Sequence, residues 1–518
     1  MASEGNSLRS AAPLNGAGAR ISLSVVVPVH NEQYLVEASL LRLLDLTESP
    51  LLTRIQVIVV DDGSSDQTPA VLERFQKHLP ADSSGAIEWL FLRHERNQGK
   101  GGGVRTGIEH ADCDLCVVHD ADLEYHPRDL LQMLPLFLHE NADAVFGSRF
   151  MAGGFRRALF FKHSVGNHIL TFLCDLACDL NLTDMETCYK MVRTDLLKTI
   201  PLVSNDFRIE PELTIKLAKR GANIFEVPIS YSGRTYQEGK KIGWRDGVRA
   251  LGALVRFKVS DLICKPDQYG SEVSVRLGRA PNYSRWLAEL VRPQLGSQVL
   301  EIGAGTGSLT VQLTPRAQYW ACDGNPLFVR TLRKLTVTRP YLAAAVIDPA
   351  DPSSYPAGHS FETVVCHNVL EHVDDDAGVL RGIGTFVGEN GRIVVLVPNA
   401  PGLFGAIDQS LGHRRRYTRA QIRALAEKAG MRCVTIIPFN RFCYLPWWVA
   451  GRLLRRRHFS LLQVKLVNWI APLLRRLDRF VPLPPLSLIA VFEKQRRAGQ
   501  SSPAVSVEDR NVSSVLVP

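Results

Sequence analysis

Asp120 and Asp122 flank a single residue, Ala121, and Glu124 stands two positions further on. Paired carboxylates with a third in reach make a hard oxygen site suited to Mg²⁺ or Mn²⁺. An ion held there would bridge two phosphates and stabilise the charge that develops as a diphosphate leaves. The spacing alone fits a solvated acidic turn better, so its setting has to decide. The apolar run at residues 55–60 empties into Asp61-Asp62-Gly63-Ser64, and a second run, at 115–118, leads to Asp120. Open α/β sheets bind ligands at the carboxyl ends of their strands, so Asp62, Asp120 and Asp122 are predicted to share one crevice.

A second candidate lies past the middle of the chain. Residues 299–307 read VLEIGAGTG, an apolar run emptying into Gly303, Gly305 and Gly307. Without a Cβ, such residues let the backbone pass close to a bound ligand. Asp323, twenty positions after Gly303, ends the next apolar run. That is the spacing of a carboxylate that accepts hydrogen bonds from ribose hydroxyls. The dinucleotide pattern G-x-G-x-x-G would need glycine at position 308, where Ser308 stands, so a nicotinamide cofactor is the weaker reading.

Two blocks of apolar strand followed by amphipathic helix carry these residues, which places the chain in the α/β class with two domains. Its 518 residues exceed one ordinary core, in agreement. The first block spans 21–262 and opens with an apolar strand and a helix that puts Leu35, Leu40, Leu43 and Leu44 on one face. Residues 263–282 turn polar and read as a linker; the second block spans 283–497. The polar ends, 1–20 and 498–518, are expected to be disordered tails.

Five segments of the first block occur in a telling order: SVVVPVHNE at 24–32, IVVDDGSSD at 58–66, NQGKGGGVRTG at 97–107, DADLEYHP at 120–127 and GSRF at 147–150. Together they resemble family 2 glycosyltransferases of the GT-A fold. TDMETCYK at 183–190, IEPE at 209–212 and EVPISYSGRTYQEGKKIGW from Glu226 narrow the resemblance to the dolichyl- or polyprenyl-phosphate sugar transferase branch. The resemblance implies that Pro28, His30 and Glu32 line a nucleotide pocket, with His30 where a tyrosine is common. It implies that Val60 and Asp62 contact the base, and that Asp120, Ala121 and Asp122 bind ribose and metal with Glu124 as a further oxygen ligand. Arg149, Arg234 and Lys240 would neutralise phosphates, which makes Asp122, Arg149 and Arg234 the expected catalytic residues. The glycines at 99 and 101–103 read as a mobile loop, since no Walker-type spacing accompanies them.

In the second block, E-x-G-x-G-x-G from Glu301, FETVVCHNVLEHV at 361–373 and GRIVVLVPN at 391–399 resemble class I S-adenosylmethionine-dependent methyltransferases with a Rossmann-like fold. The small-molecule-methylating branch is the nearest in pattern. By that resemblance Glu301, Gly303, Gly305 and Gly307 surround the cofactor, Asp323 holds its ribose, Asp348 lies on the adenine side, and Asn368 ends the strand beside the sulfonium. His372 or His413 could deprotonate an acceptor hydroxyl, although single histidines in such places are often structural.

These resemblances imply a bifunctional enzyme that moves a sugar from a nucleotide-sugar donor to a polyprenyl phosphate and methylates a related molecule. A lipid phosphate is already anionic at neutral pH and needs no base, so positioning and electrostatics suffice. A hydroxyl acceptor for a cell-surface polysaccharide would instead need a carboxylate base, and Asp184, Glu186 and Glu210 are the candidates. The Q/R-x-x-R-W signature of processive synthases is absent from the first block.

With 45% hydrophobic and 22% charged residues, the composition excludes disordered and fibrous classes. The net charge of +9 suits phosphate-bearing substrates, an anionic membrane or nucleic acid alike. Arginines at 414–416 and 452–457, with Tyr444, Trp447, Trp448 and the amphipathic run 461–480, fit an anionic membrane surface or a capping helix with a basic edge. No nucleic-acid recognition motif accompanies them. No apolar run approaches the roughly 18 residues of a membrane span, and residues 1–20 lack a signal-peptide core. Ten scattered cysteines, Cys113 and Cys116 read as core thiols among them, point to a reducing compartment. The expected location is cytoplasmic, peripheral to the inner face of the cell membrane.

Overall fold

Unbroken apolar runs are what strands buried on both faces require. In the computed structural model those runs pair side by side at the centres of two sheets. The structure describes residues 20–79, 85–153, 157, 161–234, 244–265 and 271–494. Lys240 and the expected tails, Arg20 apart, lie outside the described residues.

The first sheet comprises β1 (Ile21–Val29), β2 (Leu52–Asp61), β3 (Ile87–Arg93), β4 (Leu115–Val118), β5 (Ala144–Ser148), β6 (Lys190–Arg193) and β7 (Ile224–Pro228). Their order is β3-β2-β1-β4-β6-β5-β7. β1 to β4 run parallel, as do β5 and β7, while β6 is antiparallel to both its neighbours. Alternate residues of one strand feed opposite cores. Val25, Val27, Val57 and Val59 enter one, and Val26, Ile58, Val60 and Cys116 the other. The chain reverses its strand order between β1 and β4, so a crevice opens at their carboxyl ends.

The second sheet comprises β8 (Gln298–Ile302), β9 (Gln318–Asp323), β10 (Leu342–Val346), β11 (Phe361–His367), β12 (Val387–Pro398), β13 (Met431–Phe439) and β14 (Ser487–Lys494). Their order is β10-β9-β8-β11-β12-β14-β13, parallel up to β12, with β14 antiparallel to both neighbours. The switch point falls between β8 and β11.

Two compact units result: residues 1–280 with 458–466, and residues 281–457 with 467–518. The segment expected to be a linker departs from that reading. Ser271–Leu277 is a helix with Val273, Val275 and Arg276 buried, and it belongs to the first unit. Residues 458–466 join that unit too: Leu461 N–H donates to Asp261 (3.1 Å) and Arg276 to the carbonyl of Phe459 (3.3 Å). The polar letters of 263–282 hid the helix because Arg276, nearly fully buried, pairs with Glu272 at 2.8 Å.

Cys113 and Cys116 are buried in the core, where burial raises the Cys113 thiol and pushes Cys116 to about 12. Among the described residues no helix is long and apolar enough to cross a membrane.

Candidate functional site

In the first unit, β2 delivers Asp62 and β4 delivers Asp120, with His30 at the end of β1 between them. Asp62 is buried and accepts from the N–H groups of Gln98 (2.8 Å) and Gly99 (2.7 Å), while His94 Nδ1 approaches at 2.7 Å. His30 spans the pocket from the carbonyl of Asp62 (3.1 Å) to the amide of Asn97 (2.8 Å). The glycines expected to form a mobile loop instead begin the helix Lys100–His110 and are packed shut. A Cβ on Gly101 would lie 2.1 Å from the Ser204 carbonyl, and one on Gly103 would lie 3.2 Å from Pro28. That packing brings Pro28, Val60 and the helix start together.

After β4 the backbone turns sharply, with Leu123 in the left-handed region at φ 62°, and fans out three carboxylates. His119, buried between Tyr189 (2.8 Å) and Ser39 (3.1 Å), anchors the start of this turn. Asp120 meets Lys100 Nζ at 2.9 Å, and that ammonium holds its carboxyl below the usual range against burial. Asp122 meets Arg234 at 2.9 Å, yet burial and the charges of Asp120 and Glu124 push it to about 7. Glu124 accepts from Arg234 Nε (3.2 Å), Arg234 N–H (2.9 Å) and the Tyr231 hydroxyl (2.8 Å). Arg234 also lies 3.9 Å from Glu32. The three carboxylates stand on one turn, Asp120 on Lys100 and Asp122 on Arg234, while Glu124 is committed to Arg234 and Tyr231.

Arg149 sits elsewhere in the arrangement. Its guanidinium grips the fully buried Asp184 with two bonds, 2.6 and 2.8 Å, and its N–H adds a third at 3.1 Å. Glu210 lies between Lys190 (2.7 Å) and Lys100 (3.3 Å). Glu186 differs from both: one of its oxygens is buried without a partner, and burial pushes it to about 7. Sequence reasoning passed over Lys100, His94 and Tyr231. Lys100 and Tyr231 stand inside quoted motifs, but only the fold shows which carboxylate each one meets.

In the second unit, Gly303, Gly305, Asp323, Asp348 and Asn368 gather at the carboxyl ends of β8, β9, β10 and β11, four neighbours in the sheet. Gly303, Gly305 and Gly307 all have positive φ, and a Cβ on Gly303 would lie 2.3 Å from the His367 carbonyl. Asp323 accepts from Gly305 N–H (2.8 Å) and Asn325 N–H (2.8 Å), with its pKa raised by burial. Asp348 and Asn368 are exposed, Asn368 with φ 52°. Glu301, expected beside the cofactor, turns inward to Thr310 (2.6 Å) and Tyr319 (3.0 Å) and supports β8 against β9. His372 is pushed down to about 4 by burial, which makes it a weak base.

The arginines at 414–416 do not reach outward as a set. Arg414 pairs with Asp374, Arg415 with Asp376 (3.1 Å) and the buried Arg416 with Asp408 (2.8 Å). Arg455, Arg456 and Arg457 are exposed, as are Leu462, Leu466, Trp469 and Leu473 along the helix Leu461–Leu477.

Residues 24–200 match the family model of glycosyl transferase family 2, and residues 300–393 match a methyltransferase domain model. A protein of Micrococcus luteus named undecaprenyl-phosphate mannosyltransferase is 29% identical over 42% of this chain and 86% of its own length. A UDP-N-acetylglucosamine–dolichyl-phosphate N-acetylglucosaminyltransferase of Methanococcus voltae is 22% identical over 46% of this chain and 97% of its own. The solved glucosyl-3-phosphoglycerate synthase of Mycobacterium tuberculosis is 20% identical, covering 47% of this chain and 82% of that one, with a TM-score of 0.36.

The Arg149–Asp184 pair generates a direct test. Arg149→Met strands a buried carboxylate and should cost about 3–5 kcal/mol. Arg149→Met combined with Asp184→Asn should recover most of that loss. Denaturant unfolding of the three variants measures it.

Proposed function

With a family 2 glycosyltransferase domain and a methyltransferase domain joined in one chain, we propose that the protein transfers a sugar from a nucleotide-sugar to a polyprenyl phosphate and methylates a molecule of the same glycan or glycolipid pathway. One observation carries the lipid acceptor. The helix Phe161–Cys178 exposes Phe161, Val165, Ile169, Phe172 and Leu176, spaced by three and four residues along one face. The helix Trp244–Val259, packed against it, exposes Val248, Leu251, Val255 and Val259 at the same spacing. Arg249, Arg256 and Lys258 are exposed on that second helix. Apolar stripes with basic neighbours suit the surface of an anionic bilayer, where a polyprenyl tail would reside. The names of the two relatives support the same acceptor class.

In this reading Asp62, His30, Pro28 and Val60 receive the nucleotide, and Asp120 and Asp122 hold Mg²⁺ or Mn²⁺. The donor set fits such an ion: hard oxygens from two strand-end carboxylates, one of them pushed to about 7 by burial and by the charges of Asp120 and Glu124. The ion would neutralise charge on the leaving diphosphate. Arg234, already beside Asp122, is placed to share that task; Arg149 fixes Asp184 and so positions the wall of the site. Lys100 holds Asp120 ionised. In the second unit the glycine turn and Asp323 would hold S-adenosylmethionine. Glu186 favours a second reading, a hydroxyl acceptor, because one of its oxygens is buried without a partner and burial raises the carboxyl toward the range of a general base.

Incubating the protein with nucleotide-sugars, Mn²⁺ and a short polyprenyl phosphate should give a glycolipid detectable by mass. Glu186→Gln should leave its formation within about threefold, whereas a loss of about 10²-fold or more would favour the hydroxyl acceptor. The methyl reaction is tested by adding S-adenosylmethionine to that product; no methyl incorporation would sink the coupling. Metal affinity should also depend on pH. Below about pH 7 the ion must displace the Asp122 proton, so Mn²⁺ binding should weaken about tenfold per pH unit and level off above it. For the membrane surface, Phe172→Glu with Leu176→Glu should lower cosedimentation with vesicles containing anionic lipid about tenfold or more.

A further inference from the structure

Glu371, His372 and His413, in the second unit, bring one potential ligand atom each to within 4.8 Å of one another. The carboxylate of Glu371 is fully buried, and neither of its oxygens has a hydrogen-bond partner. One of them lies 3.9 Å from His413 Nε2, too far for a hydrogen bond. A buried carboxylate without partners is costly, and native structures leave few such groups unexplained.

The two histidines are held as metal ligands are held. His413 Nδ1 lies 3.0 Å from the buried carboxylate of Asp408, whose pKa is lowered by that contact and by Arg416. His372 Nδ1 lies 3.3 Å from the carbonyl of Gly412. A carboxylate and a carbonyl can only accept, so each ring in its neutral form carries the proton on Nδ1 and offers the Nε2 lone pair. The rings meet edge to face at 5.0 Å. Two imidazoles and a carboxylate suit Zn²⁺, Mn²⁺ or Fe²⁺ and leave coordination positions open.

The cluster also stands next to the glycine turn. Glu371 follows Asn368 by three residues, and the backbone before Asn368 is the one that a Cβ on Gly303 would strike. We propose that Glu371, His372 and His413 form a divalent transition-metal site whose open positions bind the hydroxyl oxygen of the methyl acceptor. The metal site stands on the geometry; the acceptor assignment rests on the methyltransferase reading above. A bound hydroxyl loses its proton to solvent more readily. Its oxygen then forms the bond to the methyl carbon as the carbon–sulfur bond breaks, with that electron pair going to sulfur to leave neutral S-adenosylhomocysteine.

The test uses the full chain carrying Asp120→Asn and Asp122→Asn, so that the first unit's carboxylates do not contribute. After dialysis against Zn²⁺ or Mn²⁺, elemental analysis should find one ion per chain. Adding Glu371→Gln, or separately His372→Ala, should lower this toward zero with the Tm unchanged. No ion in the parent, or an undiminished ion count in both variants, overturns the site. S-adenosylhomocysteine binding, measured by calorimetry on the wild type, separates the two ideas. Its absence with the ion count intact would fail the methyltransferase reading alone. Its presence with no ion, and with methyl transfer still lost in His413→Asn, would make the Asp408–His413 pair a general base and overturn the metal.

Discussion

Four carboxylates, Glu32, Asp120, Asp122 and Glu124, converge at the strand ends of the first unit, and their mutual repulsion is the constraint around which that site is arranged. Two cations answer it. Lys100 comes from the start of a helix pressed onto β1, and Arg234 comes from the segment after β7. Each cation is placed by backbone packing that glycine alone permits or by a strand that ends where it must. The compensation is uneven: Asp120 stays ionised, while Asp122 keeps a proton until about neutrality. A site with one committed charge and one adjustable charge is suited to taking up an extra cation along with a diphosphate.

The same logic separates residues that hold a site from residues that face a ligand. Arg149 and Asp184 satisfy each other so fully that their contribution is rigidity. A bidentate guanidinium–carboxylate pair fixes geometry as well as charge. Glu186 and Glu371 are the opposite case, carboxyl groups brought inside with unmet capacity.

Much of this was legible in the letters. Strand ends can be read from apolar runs, so Asp62, Asp120, Asp323 and the glycine turn were placed correctly at the carboxyl edges of two α/β sheets. Ionic partners were not legible, because an arginine's reach joins residues far apart in sequence and the spacing carries no trace of the choice. Arg149 lies 35 positions from Asp184, and Arg234 lies 112 from Asp122. The helix Ser271–Leu277 was missed because its buried arginine looks polar on paper. The glycines at 101–103 read as mobility in the letters, yet a Cβ at 101, 102 or 103 would press on the Ser204 carbonyl, the Gln98 side chain or Pro28. A glycine run signals either freedom or contact, and only the neighbour decides.

The return of residues 458–466 to the first unit changes what kind of fusion this is. Two genes joined end to end would leave each domain a continuous stretch that recombination could exchange whole. Here the first unit is completed by a segment encoded after most of the second, with Leu461 and Val464 buried. During synthesis that segment emerges only after most of the second unit has been translated. A shuffling event that took residues 1–280 alone would leave a piece of the first unit behind, and one that took 281–518 would carry that piece away.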